Sequence, residues 1–174
     1  KLVLLEKGLP FDEELHTFVN NLTRKVDTFL YGRWMYEMMA TFWPTADADP
    51  ANPDFIADFS RIWKGKPKIV VSSTLKQVEW NSILVKDLSA PEIAQIKAQP
   101  GRDIGLGGAG VAGTLLLQGL IDEYQLYLHP VVLGEGTRMF PDITKRASLT
   151  LLETKTFGSG VVYLRYQANH AENS

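Results

Sequence analysis

The chain has 174 residues, of which 45% are hydrophobic and 22% are charged, with a formal net charge of -2 and no cysteine. This composition excludes collagen-like, fibrous and disordered chains and cysteine-based disulfide or zinc sites, and the lack of a basic cluster argues against nucleic acid as a partner. The length predicts a single domain over residues 1–174. Since no apolar run approaches the ~20 residues of a membrane-spanning helix, we expect this domain to be cytoplasmic with no membrane contact.

The first half of the chain alternates between strand-like and helix-like segments. Short apolar or β-branched runs predict strands at residues 2–5, 28–31, 68–72 and 82–85. Apolar residues spaced by three and four predict helices over residues 12–25, 33–41 and 54–63. This alternation is typical of a parallel sheet covered by helices.

The second half begins in the same way and then changes. Ser89 and Glu92 match a capping box, which predicts a helix that ends before Pro100. A strand at residues 103–106 and a helix at residues 111–120 follow. The last strands, at residues 124–133, 149–157 and 161–167, have no helix between them. We therefore predict a three-layer α/β fold whose mixed, mostly parallel central sheet is flanked by helices and ends in antiparallel strands.

The densest glycine segment lies between a predicted strand and a predicted helix, where residues 105–113 read GLGGAGVAG. Glycines at such a turn let a ligand approach the backbone, and the helix dipole favours an anion such as a phosphate. Gly105, Gly107 and Gly110 match G-x-G-x-x-G, but the acidic residue that a Rossmann site needs about 20 residues later is missing. The alternative is a glycine turn that serves only helix–sheet packing.

Two other junctions fall at the same predicted edge of the sheet. Arg33 begins a helix, where the helix dipole favours an acidic residue over a basic one. Its side chain is therefore either solvated or binds an anion. Ser72, Ser73 and Thr74 follow a buried strand, where hydroxyls are also common as turn residues. Because ligands of open α/β sheets bind at the carboxyl ends of the strands, we expect the three junctions to form one site.

Four segments occur in the order found in the dihydrofolate reductase-like superfamily. They are residues 27–37 (DTFLYGRWMYE), 69–73 (IVVSS), 107–110 (GGAG) and 119–136 (GLIDEYQLYLHPVVLGEG). The chain most closely resembles the branch that contains the reductase domain of the riboflavin-biosynthesis bifunctional deaminase-reductase. The resemblance covers nearly the whole chain from Asp12 onward, and the last segment is its most specific part.

The resemblance implies an NADPH-dependent oxidoreductase that reduces a C=N or C=O bond of a pterin- or pyrimidine-like substrate, and it implies a homodimer. It implies cofactor phosphates at Gly32, Arg33, Trp34 and Met35. It implies the adenosine end at Ser72, Ser73 and Thr74. It implies the pyrophosphate and nicotinamide at Gly107, Gly108, Ala109, Gly110 and Val111. A cis peptide between Gly107 and Gly108 is also implied.

The chain departs from this branch after its first strand. The Ser-Leu-Asp-Gly-type stretch and closing loop of the relatives are absent after Leu5. If the closing loop is missing only from the given sequence, two consecutive Cα atoms between Leu4 and Pro10 should lie more than ~3.8 Å apart. Normal spacing would favour the alternative function, a non-catalytic nucleotide-binding or regulatory module on the same fold.

The proton source is the least defined part of the predicted site. The resemblance implies that the carboxylate that dihydrofolate reductases carry on their first helix corresponds to a position near Glu14. The alternative is that Glu14 is a solvated acid in the first turn of the helix. An ordered water is the other expected donor. We expect His16 on a helix face next to solvent and His129 packed on a strand. Since neither has other metal ligands near it, we expect no metal site. The aromatic residues are expected in the core: Trp34, Tyr36, Phe42 and Trp43.

Overall fold

The computed structural model describes residues 12–98, 100–101, 103–135, 138–140 and 146–169. These residues form two compact units, residues 12–108 and residues 109–169. The strand predicted at residues 2–5 and the Cα spacing between Leu4 and Pro10 lie outside the described residues. Within the described ranges, no helix is long and apolar enough to cross a membrane.

The first unit contains four helices and four strands among its described residues. They are α1 (Glu13–Lys25), β1 (Val26–Gly32), α2 (Arg33–Phe42), α3 (Asp54–Gly65), β2 (Lys68–Val71), β3 (Ser82–Val85), α4 (Ala90–Lys97) and β4 (Asp103–Gly107). Local signals set these bounds. Asp12 caps α1 by accepting a hydrogen bond from the Glu14 N–H at 2.9 Å, and Ser89 with Glu92 forms the predicted capping box of α4.

The strands of the first unit form a parallel sheet in the order β3-β2-β1-β4. The central strand β1 pairs with β2 through Phe29–Lys68 to Gly32–Val71, and its other edge pairs with β4. The inner strands β1 and β2 are largely buried, which explains their continuous apolar sequences, whereas Ile83 on the edge strand β3 is 60% exposed. The α/β fold class predicted from the sequence is confirmed.

The core of the first unit is built around Trp63 and Val70, which are both fully buried. Helix α1 is attached to α3 by the buried Asn20, whose side-chain amide donates to the Phe55 carbonyl at 2.9 Å and to Asp58 at 2.7 Å. The buried Ser60 hydroxyl donates to the carbonyl of Trp43 at 2.6 Å. These bonds satisfy polar groups that would otherwise be costly to bury.

His16 is half-buried, and its ring packs against the helical core although its helix face remains partly exposed. Its ring is 5.2 Å from the ring of Phe55 and 5.8 Å from that of Phe59, measured between centroids. Burial lowers the pKa of His16, although a hydrogen bond with Asn20 and the charge of Asp58 act in the opposite direction. The helical stripe of α1 is therefore wider than its aliphatic residues indicate.

The second unit contains one helix and three strands among its described residues. They are α5 (Ala109–Leu117), β5 (Glu123–Leu128), β6 (Ser148–Thr156) and β7 (Val162–Asn169). The strands form a separate antiparallel sheet in the order β5-β7-β6. Strand β5 ends before Pro130, which cannot donate a ladder hydrogen bond. A turn joins β6 and β7, and Gly160 adopts a φ of 83° there.

One face of the antiparallel sheet is apolar and open. Strand register places on it the side chains of Tyr124, Leu126, Leu128, Leu149, Leu151, Leu164 and Tyr166, which we call the apolar face, with Thr154 and Thr156 at its end. Leu128 is 64% exposed and Leu151 is 51% exposed. On the opposite face, Arg165 forms ion pairs with Glu123 and Glu153.

Candidate functional site

Strand register brings the three predicted junctions to one edge of the parallel sheet. Gly32, the last residue of β1, is the Cα partner of Val71, and Ser72 follows immediately. On the other side of β1, Tyr31 is the partner of Gly107. The carboxyl ends of β1, β2 and β4 therefore lie side by side, which is the ligand-binding edge of open α/β sheets.

The start of α2 has the features of an anion site. Its N-cap residue is Gly32, no side chain caps the helix, and its first turn contains no acid. The first N–H groups of a helix have no partner within the helix, and the dipole makes this end partly positive. Arg33 adds a full positive charge. These residues fit a phosphate-bearing ligand.

Arg33 connects α2 to the loop that follows β2. Its Nε donates to the carboxylate of Glu37 at 3.0 Å, and its Nη1 donates to Oγ1 of Thr74 at 2.9 Å. The side chain remains 53% exposed. Since a guanidinium carries five N–H donors, it can hold both partners and still present donors to an anion.

The three hydroxyl residues after β2 differ in their surroundings. The Ser72 hydroxyl is buried and accepts hydrogen bonds from the N–H groups of Thr74 at 3.2 Å and Leu75 at 3.1 Å. It therefore shapes the loop, as a turn serine does. Ser73 and Thr74 are exposed at the surface, so these two residues, unlike Ser72, are accessible to a ligand.

Gly107 and Gly108 are required by packing and backbone geometry. A Cβ on Gly107 would lie 2.9 Å from the Tyr31 ring, and one on Gly108 would lie 3.2 Å from Cβ of Met35. Gly108 has a φ of 102°, which disfavours side chains. The expected cis peptide between them is not present, since the described backbone contains no cis bond. The buried Met35 lies beneath this turn.

The remaining predicted residues are found in different surroundings. Ala109, Gly110 and Val111 form the first turn of α5, in the second unit. Glu14 is exposed in the first turn of α1, where an acid stabilises the helix dipole, and its catalytic role stays a prediction. Trp34 is 71% exposed and Phe42 is also exposed, so the expectation that both lie in the core was wrong; Tyr36 and Trp43 are buried as expected.

Two residues of this edge were missed by sequence reasoning. Glu37 pairs with Arg33, and the buried Tyr36 places its hydroxyl against the backbone of Glu79. Both residues follow Arg33 by one helical turn, at i+3 and i+4, and this spacing was the signal available in the sequence.

Comparison with known proteins places this chain in a family. Residues 6–163 match the family described as the RibD C-terminal domain. The chain is 36% identical over 146 residues to the uncharacterized protein YyaP of Bacillus subtilis (strain 168), which covers 83% of this chain and 76% of YyaP.

Solved structures share the fold at low sequence identity. A Shewanella sp. PV-4 protein described as a riboflavin biosynthesis protein superposes with a TM-score of 0.72 and 21% identity, over 94% of this chain and 86% of that one. RibD of Acinetobacter baumannii gives a TM-score of 0.61 and 14% identity over 94% of this chain and 52% of that one, so this chain spans about half of that protein. With the sequence match over most of its length, the chain belongs to the RibD C-terminal domain family.

Proposed function

We propose that this chain is an NADPH-dependent reductase that acts on a C=N or C=O bond of a pterin- or pyrimidine-like heterocycle. The observation that carries the proposal is the row of junctions at the carboxyl edge of β2, β1 and β4, where Arg33 bridges the open start of α2 to Thr74. Membership of the RibD C-terminal domain family supports a reductase, and the riboflavin-biosynthesis description of the Shewanella protein supports a heterocyclic substrate.

The residues of this edge suit the parts of a phosphorylated dinucleotide. The N–H groups of Arg33, Trp34 and Met35 at the start of α2 would hold a phosphate, since no side chain caps them. The guanidinium of Arg33 and the hydroxyls of Ser73 and Thr74 would hold the 2′-phosphate at the adenosine end. An arginine next to hydroxyls is the arrangement that discriminates NADPH from NADH.

The protein's part in the reaction is binding and orientation. NADPH supplies the hydride when bound. The turn at Gly107 and Gly108, held by Tyr31 and Met35, offers backbone without side chains along the cofactor. Rigid placement of the two reactants is what such a site contributes to the rate.

Binding and turnover should be measured together. We expect NADPH to bind more tightly than NADH, and we expect its absorbance to fall when a pterin or pyrimidine substrate with a reducible C=N or C=O bond is added. Binding without oxidation on any substrate would favour the alternative, a non-catalytic nucleotide-binding or regulatory module. No binding of either nucleotide would overturn both.

We also propose that the protein's macromolecular partner is a second copy of the chain, bound through the apolar face of the second unit. Leucines from all three strands form this face, and Leu128 and Leu151 are more than half exposed. Apolar patches of this kind on soluble proteins commonly mark an interface.

A further inference from the structure

The loop between β2 and β3, residues 72–81, is attached to the first unit at several points. At its start, Ser72 holds the N–H groups of Thr74 and Leu75, and Thr74 accepts from Arg33. At its end, the ammonium of the buried Lys68 donates to the Trp80 carbonyl at 2.8 Å. The loop is therefore ordered by side chains that reach it from α2 and β2.

Tyr36 supplies the attachment near the end of the loop. Its ring is buried, and its hydroxyl accepts a hydrogen bond from the Glu79 N–H at 2.8 Å. The same hydroxyl donates to the Glu79 carbonyl at 3.3 Å. One phenol thus satisfies both backbone groups of a single loop residue, which phenylalanine could not do.

The two attachments from α2 lie on one face of the helix. Arg33 and Tyr36 are three residues apart, so their side chains are neighbours along the helix. Arg33 contacts Thr74 and Tyr36 contacts Glu79. The helix that offers the cationic group therefore also determines where its hydroxyl partner in the loop lies.

We propose that Tyr36 is a positioning residue for the adenosine end of the cofactor, acting through Glu79 on the loop that carries Ser73 and Thr74. This inference rests on the proposed function. Holding the loop in its binding conformation before the ligand arrives removes an ordering cost from association. Tyr36 need not touch the nucleotide to do this.

The test compares Tyr36→Phe with Ser60→Ala, using adenosine 2′,5′-bisphosphate and NADPH as probes. Both variants lose one buried hydroxyl of the first unit, but the Ser60 hydroxyl bonds Trp43 and Asp47 and not the loop. We expect Tyr36→Phe to weaken both probes by the same factor, about three- to tenfold, as for one lost hydrogen bond. Hydrogen exchange of the Glu79 amide should accelerate, and Ser60→Ala should change neither property.

The possible outcomes distinguish a failure of the positioning role of Tyr36 from a failure of the proposed function. If the wild-type protein binds both probes and Tyr36→Phe binds them equally well, the positioning role is wrong and the proposed function stands. If Tyr36→Phe weakens NADPH much more than the fragment, the residue acts on another part of the cofactor and the inference is overturned. If Ser60→Ala weakens both probes as much as Tyr36→Phe does, the effect is one of general stability and the inference is overturned as well. If the wild-type protein binds neither probe, both are overturned.

Discussion

Arg33 donates a hydrogen bond from Nη1 to Oγ1 of Thr74 at 2.9 Å, across 41 positions of the sequence. The pairing of β1 with β2 makes this contact possible, because it places Gly32 beside Val71 at the ends of the two strands. Both partners are exposed, so their contact adds little to stability by itself. Its value lies in holding a cationic group at the sheet edge.

Replacing Arg33 with alanine should weaken NADPH binding by ~1–3 kcal/mol, the range of a charge-assisted hydrogen bond to a phosphate. The affinity for NADH should change less, because NADH has no 2′-phosphate. Isothermal titration of both nucleotides checks the expectation, with Arg33→Lys as the variant that keeps the charge. Equal losses of affinity for the two nucleotides would show that Arg33 contacts a part of the cofactor other than the 2′-phosphate.

Glu37 competes with an incoming anion for Arg33. Its carboxylate accepts from Nε of Arg33 at 3.0 Å, and both side chains are about half exposed. Glu37→Gln should therefore bind NADPH more tightly than the wild-type protein, while the free energy of unfolding changes by no more than ~0.5 kcal/mol. Glu153→Gln changes the net charge equally and should leave the affinity unaltered. Weaker binding by Glu37→Gln would show that Glu37 orients Arg33 productively.

The elements around this edge could be predicted because their signals are local. The β-branched run of β2 and the apolar stripe of α3 each lie within a dozen residues, and the capping box at Ser89 follows a short pattern. The meeting of the three junctions also followed from the sequence, because parallel strands present their carboxyl ends together.

The side-chain partners could not be predicted in the same way. The contact of Arg33 with Thr74 depends on strand register, and the burial of His16 depends on how α1 packs against α3. The division into a parallel and an antiparallel sheet is also a matter of non-local pairing. The spacing of the glycines could not show that Gly107 faces the Tyr31 ring. This contact explains why a glycine is needed at position 107 for packing as well as for ligand access.

Gly107→Ala should destabilise the first unit. Its Cβ would lie 2.9 Å from the ring of Tyr31, a distance at which something must move. Overpacking of this kind typically costs ~1–3 kcal/mol, measurable as a lower urea midpoint of unfolding. Gly65→Ala is the matched control, since nothing lies within 4 Å of a Cβ there. Equal stability of Gly107→Ala and the wild-type protein would disprove the packing constraint.

His16 should make the stability of the protein depend on pH. Burial lowers its pKa in the folded state below the unfolded value of 6.5. As the pH falls below this value, the unfolded chain takes up a proton first, so the free energy of unfolding decreases. His16→Leu removes this titration, and its stability should vary less than that of the wild-type protein between pH ~7.5 and ~5.5, where His titrates. Parallel curves for the two proteins would contradict a lowered pKa of His16 in the folded state.

Disruption of the apolar face should convert a dimer into a monomer. Leu151 projects from this face, and Thr150, its neighbour on β6, pairs with Gln167 on the opposite face. An arginine at position 151 would be desolvated without a partner in a leucine-rich interface, which is costly, whereas one at position 150 would remain in solvent. Sedimentation equilibrium should therefore show a dimer for the wild-type protein and for Thr150→Arg, and a mass near 19.5 kDa for Leu151→Arg.

Both side chains are exposed in the single chain, so each variant should fold, which circular dichroism checks. A wild-type protein of monomer mass at micromolar concentration would refute the assembly, and a dimeric Leu151→Arg would assign the interface to another surface.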